Sequence, residues 1–447
     1  MTIDEMKVLA DRTVKHAVTS GAETAEVGVI ENTEFEATVR NGSIETLLES
    51  VSNHIMIQVS VDKRKATVTS SDLSETSIEW LIGEAIELAH VMDPDLFFDL
   101  PDPEELGSVE GELKVYDPET LSLPTERKIQ IALDLERAAC SLDRRIISNG
   151  ATFSNDVKSK VIANSLGFCD GYRKTSNLIL LSCAAEDKPK SGENTGKKQS
   201  SFWYSAAPSF EALEPIEHVA GTAVSRTLEK LGAVRPKTCE VPVVFDPHTA
   251  AVFLEAVASA VDGGNIYRKS SFLVDKLDQL IGSPAVTIID DASLAGKLGT
   301  RPFDEEGVRS RRTIVMAKGR LKSYRMDSYQ ARKLDKKTTG NSGDTSNFYI
   351  EPGLYNRGEI IATVREGLFL TMLFGPGANW VTGDFSQGAQ GIWIENGELA
   401  YPVDGFTITS TFLGMLDGIE MIANDLDWRR STTSPTFKVK GMTISGT

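Results

Sequence analysis

The chain has 447 residues, 40% hydrophobic and 25% charged, an ordinary globular composition with material for two or three domains of ~150 residues. Its formal net charge of −17 argues against direct binding to nucleic acid, because so acidic a protein repels phosphate backbones. Residues 1–10 hold Asp4 and Glu5 and no apolar run, no stretch approaches 18 apolar residues, and Cys140, Cys169, Cys183 and Cys239 form no C-x-x-C pair; the expectation is a reduced, cytoplasmic protein with no signal peptide, no membrane span and no cysteine-rich metal site.

In chain order, 4–20 reads as a helix: Met6, Leu9, Ala10, Val14, Ala17 and Val18 recur at helical spacing, Asp4 caps and Gly21 stops. Strands follow at 25–30 and 35–39, a type I′ turn at Asn41-Gly42, and strands at 43–49 and 54–61. A helix covers 77–90, with Trp80, Leu81, Ala85, Ile86 and Ala89 as its apolar positions. Residues 92–125, rich in Pro, Asp and Glu, read as a surface connection. A helix at 126–139 and strands over 145–184, with a turn at 164–167, echo the first half and hint at internal duplication. Lys188, Lys190, Lys197 and Lys198 are interrupted by Pro189, Ser191, Gly192 and Glu193, so 188–204 reads as a polar, mobile loop.

Residues 215–231 are helical, and 233–240, with Pro236, mark the domain boundary. Residues 241–245 form a buried-type strand that runs into a helix near Asp246. Beyond it strands and turns dominate, with hairpin signals at Lys318-Gly319 and Asn396-Gly397 and many glycines over 375–391. The expected fold class is α+β: an N-terminal helix-and-sheet domain, 1–235, then a larger β-rich C-terminal domain, 236–447.

Familiar catalytic signatures are missing: no G-x-x-x-x-G-K-[ST], no G-x-G-x-x-G between a strand and a helix, no G-x-S-x-G and no H-E-x-x-H. His16, His54, His90, His218 and His248 stand at no ligand spacing and read as surface or cap residues. Asp290-Asp291 and Asp304-Glu305-Glu306 are carboxylate clusters of the kind that usually serve as solvated caps and turns. The helix after 245 has Asp246 as N-cap, Pro247 at its first position, an apolar stripe of Ala250, Phe253, Ala256, Val257, Ala260 and Val261, and Gly263-Gly264 at its end. Glu255 and Ser259, four apart, share the opposite face. On pattern alone that is a plain polar face.

Several longer strings carry a resemblance. They are 262–270 (DGGNIYRKS), 301–308 (RPFDEEGV), 329–334 (YQARKL) with Thr338-Thr339-Gly340-Asn341, 381–389 (VTGDFSQGA), 394–398 (IENGE) and Tyr401-Pro402-Val403. Through them the chain resembles the TldD/PmbA family (peptidase family U62, once called modulators of DNA gyrase) over essentially its whole length. The resemblance implies two subunit types. The TldD type carries a His-Glu-x-x-x-His helix and a C-terminal cysteine that bind a metal, which activates a water. The PmbA type, also called TldE, lacks the motif and pairs with a TldD partner.

Laid on that helix, Leu254 stands at the first histidine, Glu255 at the glutamate and Ser259 at the second histidine, and 428–447 contains no cysteine. Leucine has no lone pair and serine is a poor zinc ligand, so the resemblance is to the PmbA type. It implies a subunit of a cytosolic metalloprotease complex that processes or degrades unfolded peptides. This chain would hold no metal or cofactor, with zinc only in a TldD-type partner. Glu255 is then a vestigial catalytic candidate. Arg268, Asp304, Arg332, Asn341 and Asp384 are peptide-chamber candidates from the motifs. Edge strands of the β-rich domain would take a peptide by strand addition. The alternatives are a stand-alone peptide-binding homodimer and a peptidase with a different site, for which Asp384, Ser386 or His248 would have to meet. Neither nucleic acid nor membrane is an expected partner.

Overall fold

The computed structural model describes residues 1–186 and 198–446. Its first part consists of α1 (Ile3–Thr19), β1 (Thr24–Arg40), β2 (Ser43–Val61), β3 (Arg64–Ser70) and α2 (Glu75–Val91), then a connection holding the single turn α3 (Glu119–Ser122), then α4 (Thr125–Leu142), β4 (Ile146–Asn164), β5 (Cys169–Glu186), β6 (Lys198–Ala207) and α5 (Ile216–Leu228). The order helix, three strands, helix occurs twice. The strands form one antiparallel sheet, β3-β2-β1-β4-β5-β6, symmetric about the β1–β4 pair. The echo in the sequence is thus a repeated αβββα unit.

Alternation along β1 decides which face is covered. Val27 and Val29 pack with Ile55, Ile57 and Val59 under α1 and α2. Phe35, Ala37 and Val39, of the same parity, pack with Phe153, Ile179 and Leu181 under α4 and α5. Both helix pairs therefore lie on one face. Each such fully buried Val, Ile, Leu or Phe side chain contributes roughly 1.5–3 kcal/mol. On the other face Glu26 is buried beside Asp304 and Glu306, and Lys160 pairs with Glu305. That face meets the second part of the chain.

The second part begins with β7 (Cys239–Phe245), α6 (Pro247–Ala260), α7 (Gly263–Tyr267), β8 (Ile288–Asp291), β9 (Arg312–Ala317), β10 (Arg320–Leu321), α8 (Ser328–Lys333) and β11 (Phe348–Ile350). It continues with α9 (Arg357–Ala362), β12 (Glu366–Phe374), β13 (Ala378–Asn379), β14 (Asp384–Glu395), β15 (Glu398–Thr411), α10 (Phe412–Gly418), β16 (Ile419–Ile422), β17 (Thr432–Thr433) and β18 (Phe437–Ser445). One sheet runs β10-β9-β8-β11-β17. In the other, the path β12-β7-β18-β15-β14 is closed by a β12–β14 pairing, so those strands form a ring with no free edge among them. Its core gathers Phe245, Phe253, Phe385, Phe412 and Phe437. The α+β class holds, with the strand-rich part second.

Several boundaries move. Residues 25–39 are one strand and 43–61 another, because Asn32 to Thr33 and Ser50 to Asn53 pair across the same ladder despite their polarity. Thr2, not Asp4, caps α1 in a capping box. Trp80 sits on the open side of α2, 63% exposed, while Ile78 and Ile82 are buried. The expected loop over 188–204 is corrected at its end. Residues 198–204 belong to β6, whose Gln199, Ser201 and Ser205 are buried opposite Ala185, Cys183 and Ile179 of β5; residues 188–197 lie outside the described ones. Gly263-Gly264 open α7 rather than ending α6. All three hairpin turns stand at Asn41-Gly42, Lys318-Gly319 and Asn396-Gly397, with both residues of each at positive φ. Among the described residues no helix is long and apolar enough to cross a membrane.

Candidate functional site

β7 is buried between β12 and β18 and delivers the chain to α6. The Asp246 carboxylate accepts the Thr249 N–H at 2.8 Å as N-cap and pairs with Arg226 of α5 at 2.8 Å. Pro247 then starts the helix without leaving a donor unmet. Phe253, Leu254 and Val257 are fully buried in the core. Glu255 and Ser259 point the other way, into a groove of ≈350 Å³. Asp262 and Asn265 extend its floor from α7, and Arg325, Asp344, Thr345, Trp380 and Thr432 line it from other segments.

Within the groove the polar groups are already engaged. The Glu255 carboxylate, half-exposed, lies 3.2 Å from the Arg430 guanidinium. Partial burial raises its pKa, and Arg430 opposes the rise. Arg430 also donates to the Tyr204 hydroxyl at 3.0 Å, so β6 of the first part reaches the site. The neighbouring Arg429 donates to the Tyr204 carbonyl at 3.0 Å, pairs with Asp427 and stacks 3.6 Å above the Trp203 ring. Ser259 turns its hydroxyl back to the Glu255 carbonyl at 3.1 Å. Asn265 donates to the Ser259 carbonyl at 2.8 Å and pins the end of α6.

Behind the groove, Asp290 is fully buried and receives Arg325 Nε at 2.8 Å and Asn341 Nδ2 at 3.0 Å, together with the Ser346 hydroxyl. Asp290-Asp291 is thus a buried network, not the solvated turn its residue types suggest. The same correction applies to Asp304. It is fully buried, and its carboxylate accepts the backbone N–H groups of Glu306, Val308 and Ser342 at 2.9–3.0 Å.

The motif residues therefore separate. Glu255 lines the groove and Asn341 stands behind it. Asp304 holds a turn at the seam between the two parts. Arg332 donates to the Asp99 carbonyl at 2.8 Å, and to those of Phe97 and Leu100, clamping the 92–125 connection onto α8. Arg268 is exposed and bonds Asn265 at 2.9 Å. Asp384 is exposed and accepts the Thr382 hydroxyl at 2.6 Å. Ser386 meets Thr409 on β15. His248 packs edge-on against Phe202, and burial pulls its pKa down to about 4, so it is no surface histidine. Among the described residues no hydrogen bond or ion pair joins Asp384, Ser386 and His248. Arg430, Tyr204 and Trp380 escape a sequence reading, because nothing local links segments so far apart; Trp428-Arg429-Arg430, a basic run in an acidic chain, was the available signal.

Three family models match in succession: PmbA/TldA metallopeptidase domain 1 at residues 25–89, the central domain at 118–231 and the C-terminal domain at 238–446. A Metalloprotease PmbA homolog of Haemophilus influenzae is 31% identical, covering 99% of this chain and 96% of its own length.

The chain belongs to the PmbA/TldD family.

Metalloprotease PmbA of Escherichia coli O157:H7 is also 31% identical, over 94% of this chain and 92% of that one. Among solved structures, a Bacteroides thetaiotaomicron protein described as a modulator of DNA gyrase superposes with a TM-score of 0.92 at 27% identity, covering 99% of both chains. TldE from Thermococcus kodakarensis shares the fold, with a TM-score of 0.84 at 20% identity over 98% of this chain and all of that one. In PmbA/TldD terms, the α6 groove falls within the match to the C-terminal domain, and Tyr204 within the match to the central one.

Proposed function

We propose that this chain is a PmbA/TldE-type subunit of a cytoplasmic metalloprotease complex that processes or degrades unfolded peptides, with the metal supplied by a TldD-type partner. The observation that carries the reading is the Glu255–Arg430 pair. A guanidinium beside the glutamate already supplies the positive charge that a metal would bring, and a second cation there is repelled. The donor set fits a metal poorly in two further respects. Leu254 is fully buried in the core and has no donor atom. Ser259 offers only a neutral hydroxyl, which is a weak zinc ligand. No catalytic step is therefore routed through a metal on this chain. In this reading the α6 groove forms a wall of the peptide chamber, with Asp262, Asn265 and Thr345 as polar lining and Trp380 as an apolar surface. Four free cysteines among the described residues agree with a reducing compartment.

The test is cleavage of an unfolded peptide by the purified chain, alone and mixed with a TldD-type partner. The reading expects no cleavage alone and cleavage with the partner. Metal-dependent cleavage by the chain alone would falsify it.

A further inference from the structure

A second cleft, of ≈440 Å³, lies between α5 and the strands β12 and β14, and it shares no lining residue with the α6 groove. Trp203, Phe369, Ile392 and Leu399 give it apolar walls. Its charged lining is mostly cationic: Arg226, Lys230 and Arg357, with Glu229 the single carboxylate.

Lys230 is the unusual member. It is only 7% exposed. Its ammonium donates to the Ser200 carbonyl at 2.9 Å and lies 3.7 Å from the Met372 sulfur. Among the described residues no carboxylate stands within ion-pair distance of it, and Asp404 and Asp246 act on it only at longer range. An ammonium has three donors, and burying one without a counter-charge costs several kcal/mol. The neighbours are otherwise committed. Arg226 is held by Asp246 at 2.8 Å and the Thr371 carbonyl at 3.0 Å. Glu229 accepts the Ser225 hydroxyl at 2.9 Å. Arg357 pairs with Asp425 at 3.7 Å, so among the described residues Lys230 is the one cation of the lining without a carboxylate at ion-pair distance.

We infer that this cleft binds a small organic carboxylate carried on an apolar body, with Lys230 as its charge partner. The carboxylate supplies the oxygens that the ammonium lacks and removes the cost of its burial. Apolar walls exclude water from that contact, which strengthens it. A phosphate fits less well: it brings nearly two negative charges where one cation is unbalanced and Glu229 already lines the cleft. The size suits a ligand of a few hundred daltons. Two sources share this chemistry, a free organic acid and the C-terminal end of a peptide with an apolar last residue.

The experiment is thermal unfolding of the full chain with four probes: N-acetylphenylalanine, a hydrophobic tripeptide with a free carboxylate, the same tripeptide as its C-terminal amide, and inorganic phosphate. A saturable rise in Tm is expected with one or both acids and none with the amide or phosphate. A rise with both acids assigns free organic acids, and one with the tripeptide alone assigns chain ends. Lys230→Met keeps the length of the side chain and removes its charge. It is expected to fold and to weaken acid binding by roughly 10- to 100-fold, the value of a charge-assisted contact. Lys230→Gln, which keeps a donor, serves if the methionine variant does not fold, with the same expectation. The inference is overturned if neither acid gives a saturable shift, if amide or phosphate matches the acids, or if a folded Lys230 variant keeps full affinity. None of these outcomes depends on peptide cleavage.

Discussion

The groove beside α6 and the cleft beside α5 use the same kinds of side chain and settle their charges differently. At the α6 groove, Glu255 meets Arg430 and, behind it, Asp290 meets Arg325. In the α5 cleft, Lys230 is buried against the Ser200 carbonyl and the Met372 sulfur, with no carboxylate at ion-pair distance among the described residues. A charge that already has its counter-charge offers little to a second ion, whereas a buried cation without a carboxylate stays open to an anion. The contrast is between a wall on one side and a receptor on the other, and four variants sharpen or break it.

The largest effect is expected behind the α6 groove. Asp290→Asn leaves Arg325, 5% exposed, without its counter-charge, and a loss of about 3–5 kcal/mol is expected in urea unfolding. A loss under about 1 kcal/mol would mean that the network does not hold the wall.

Next is the attempt to rebuild a ligand pair, Leu254→His with Ser259→His. Leu254 faces the core, so the new imidazole is buried without a partner, at a cost of about 2–3 kcal/mol. The double variant should unfold earlier and bind zinc no better than wild type by calorimetry. Tight stoichiometric zinc binding would break the contrast.

The seam between the two parts offers the third. Glu26 is 4% exposed, and burial, with Glu306 and Asp304 nearby, raises its pKa from 4.5 to about 8. The folded state holds this proton more tightly than the unfolded one, so this carboxyl costs stability progressively as pH rises from 4.5 to 8. Burial raises Glu306 likewise, to about 7. Glu26→Gln should therefore gain up to about 4 kcal/mol at pH 8 and almost nothing at pH 4.5. A gain independent of pH would point to packing instead.

The smallest effect belongs to the groove's own pair. Glu255 is 52% exposed, so solvent screens it, and Glu255→Gln should change stability by less than about 1 kcal/mol. A larger loss in thermal unfolding would show that the pair braces the two parts together.

Legibility followed the range of the forces. Hairpins were readable because Asn-Gly and Lys-Gly turns need positive φ at adjacent residues, a local demand. The helices were readable from their apolar spacing, and the α6 cap from Asp246-Pro247. Long strands were split in the reading because Asn32, Ser50 and Asn53 look like breaks, and only the ladder across β1 and β2 overrides them. β6 was hidden for the same reason: its serines read as loop until β5 pairs with them. Glu255 could be picked out through resemblance. Its partner Arg430, 175 residues away in sequence, could not, nor could the burial of Lys230 against Ser200 of β6 and Met372 of β12.

The most direct measurement is the metal content of the purified, partner-free chain after exposure to zinc and removal of excess. Far less than one zinc per chain is expected, because Arg430 already pairs with Glu255. One firmly held zinc per chain, lost on Glu255→Gln, would contradict it.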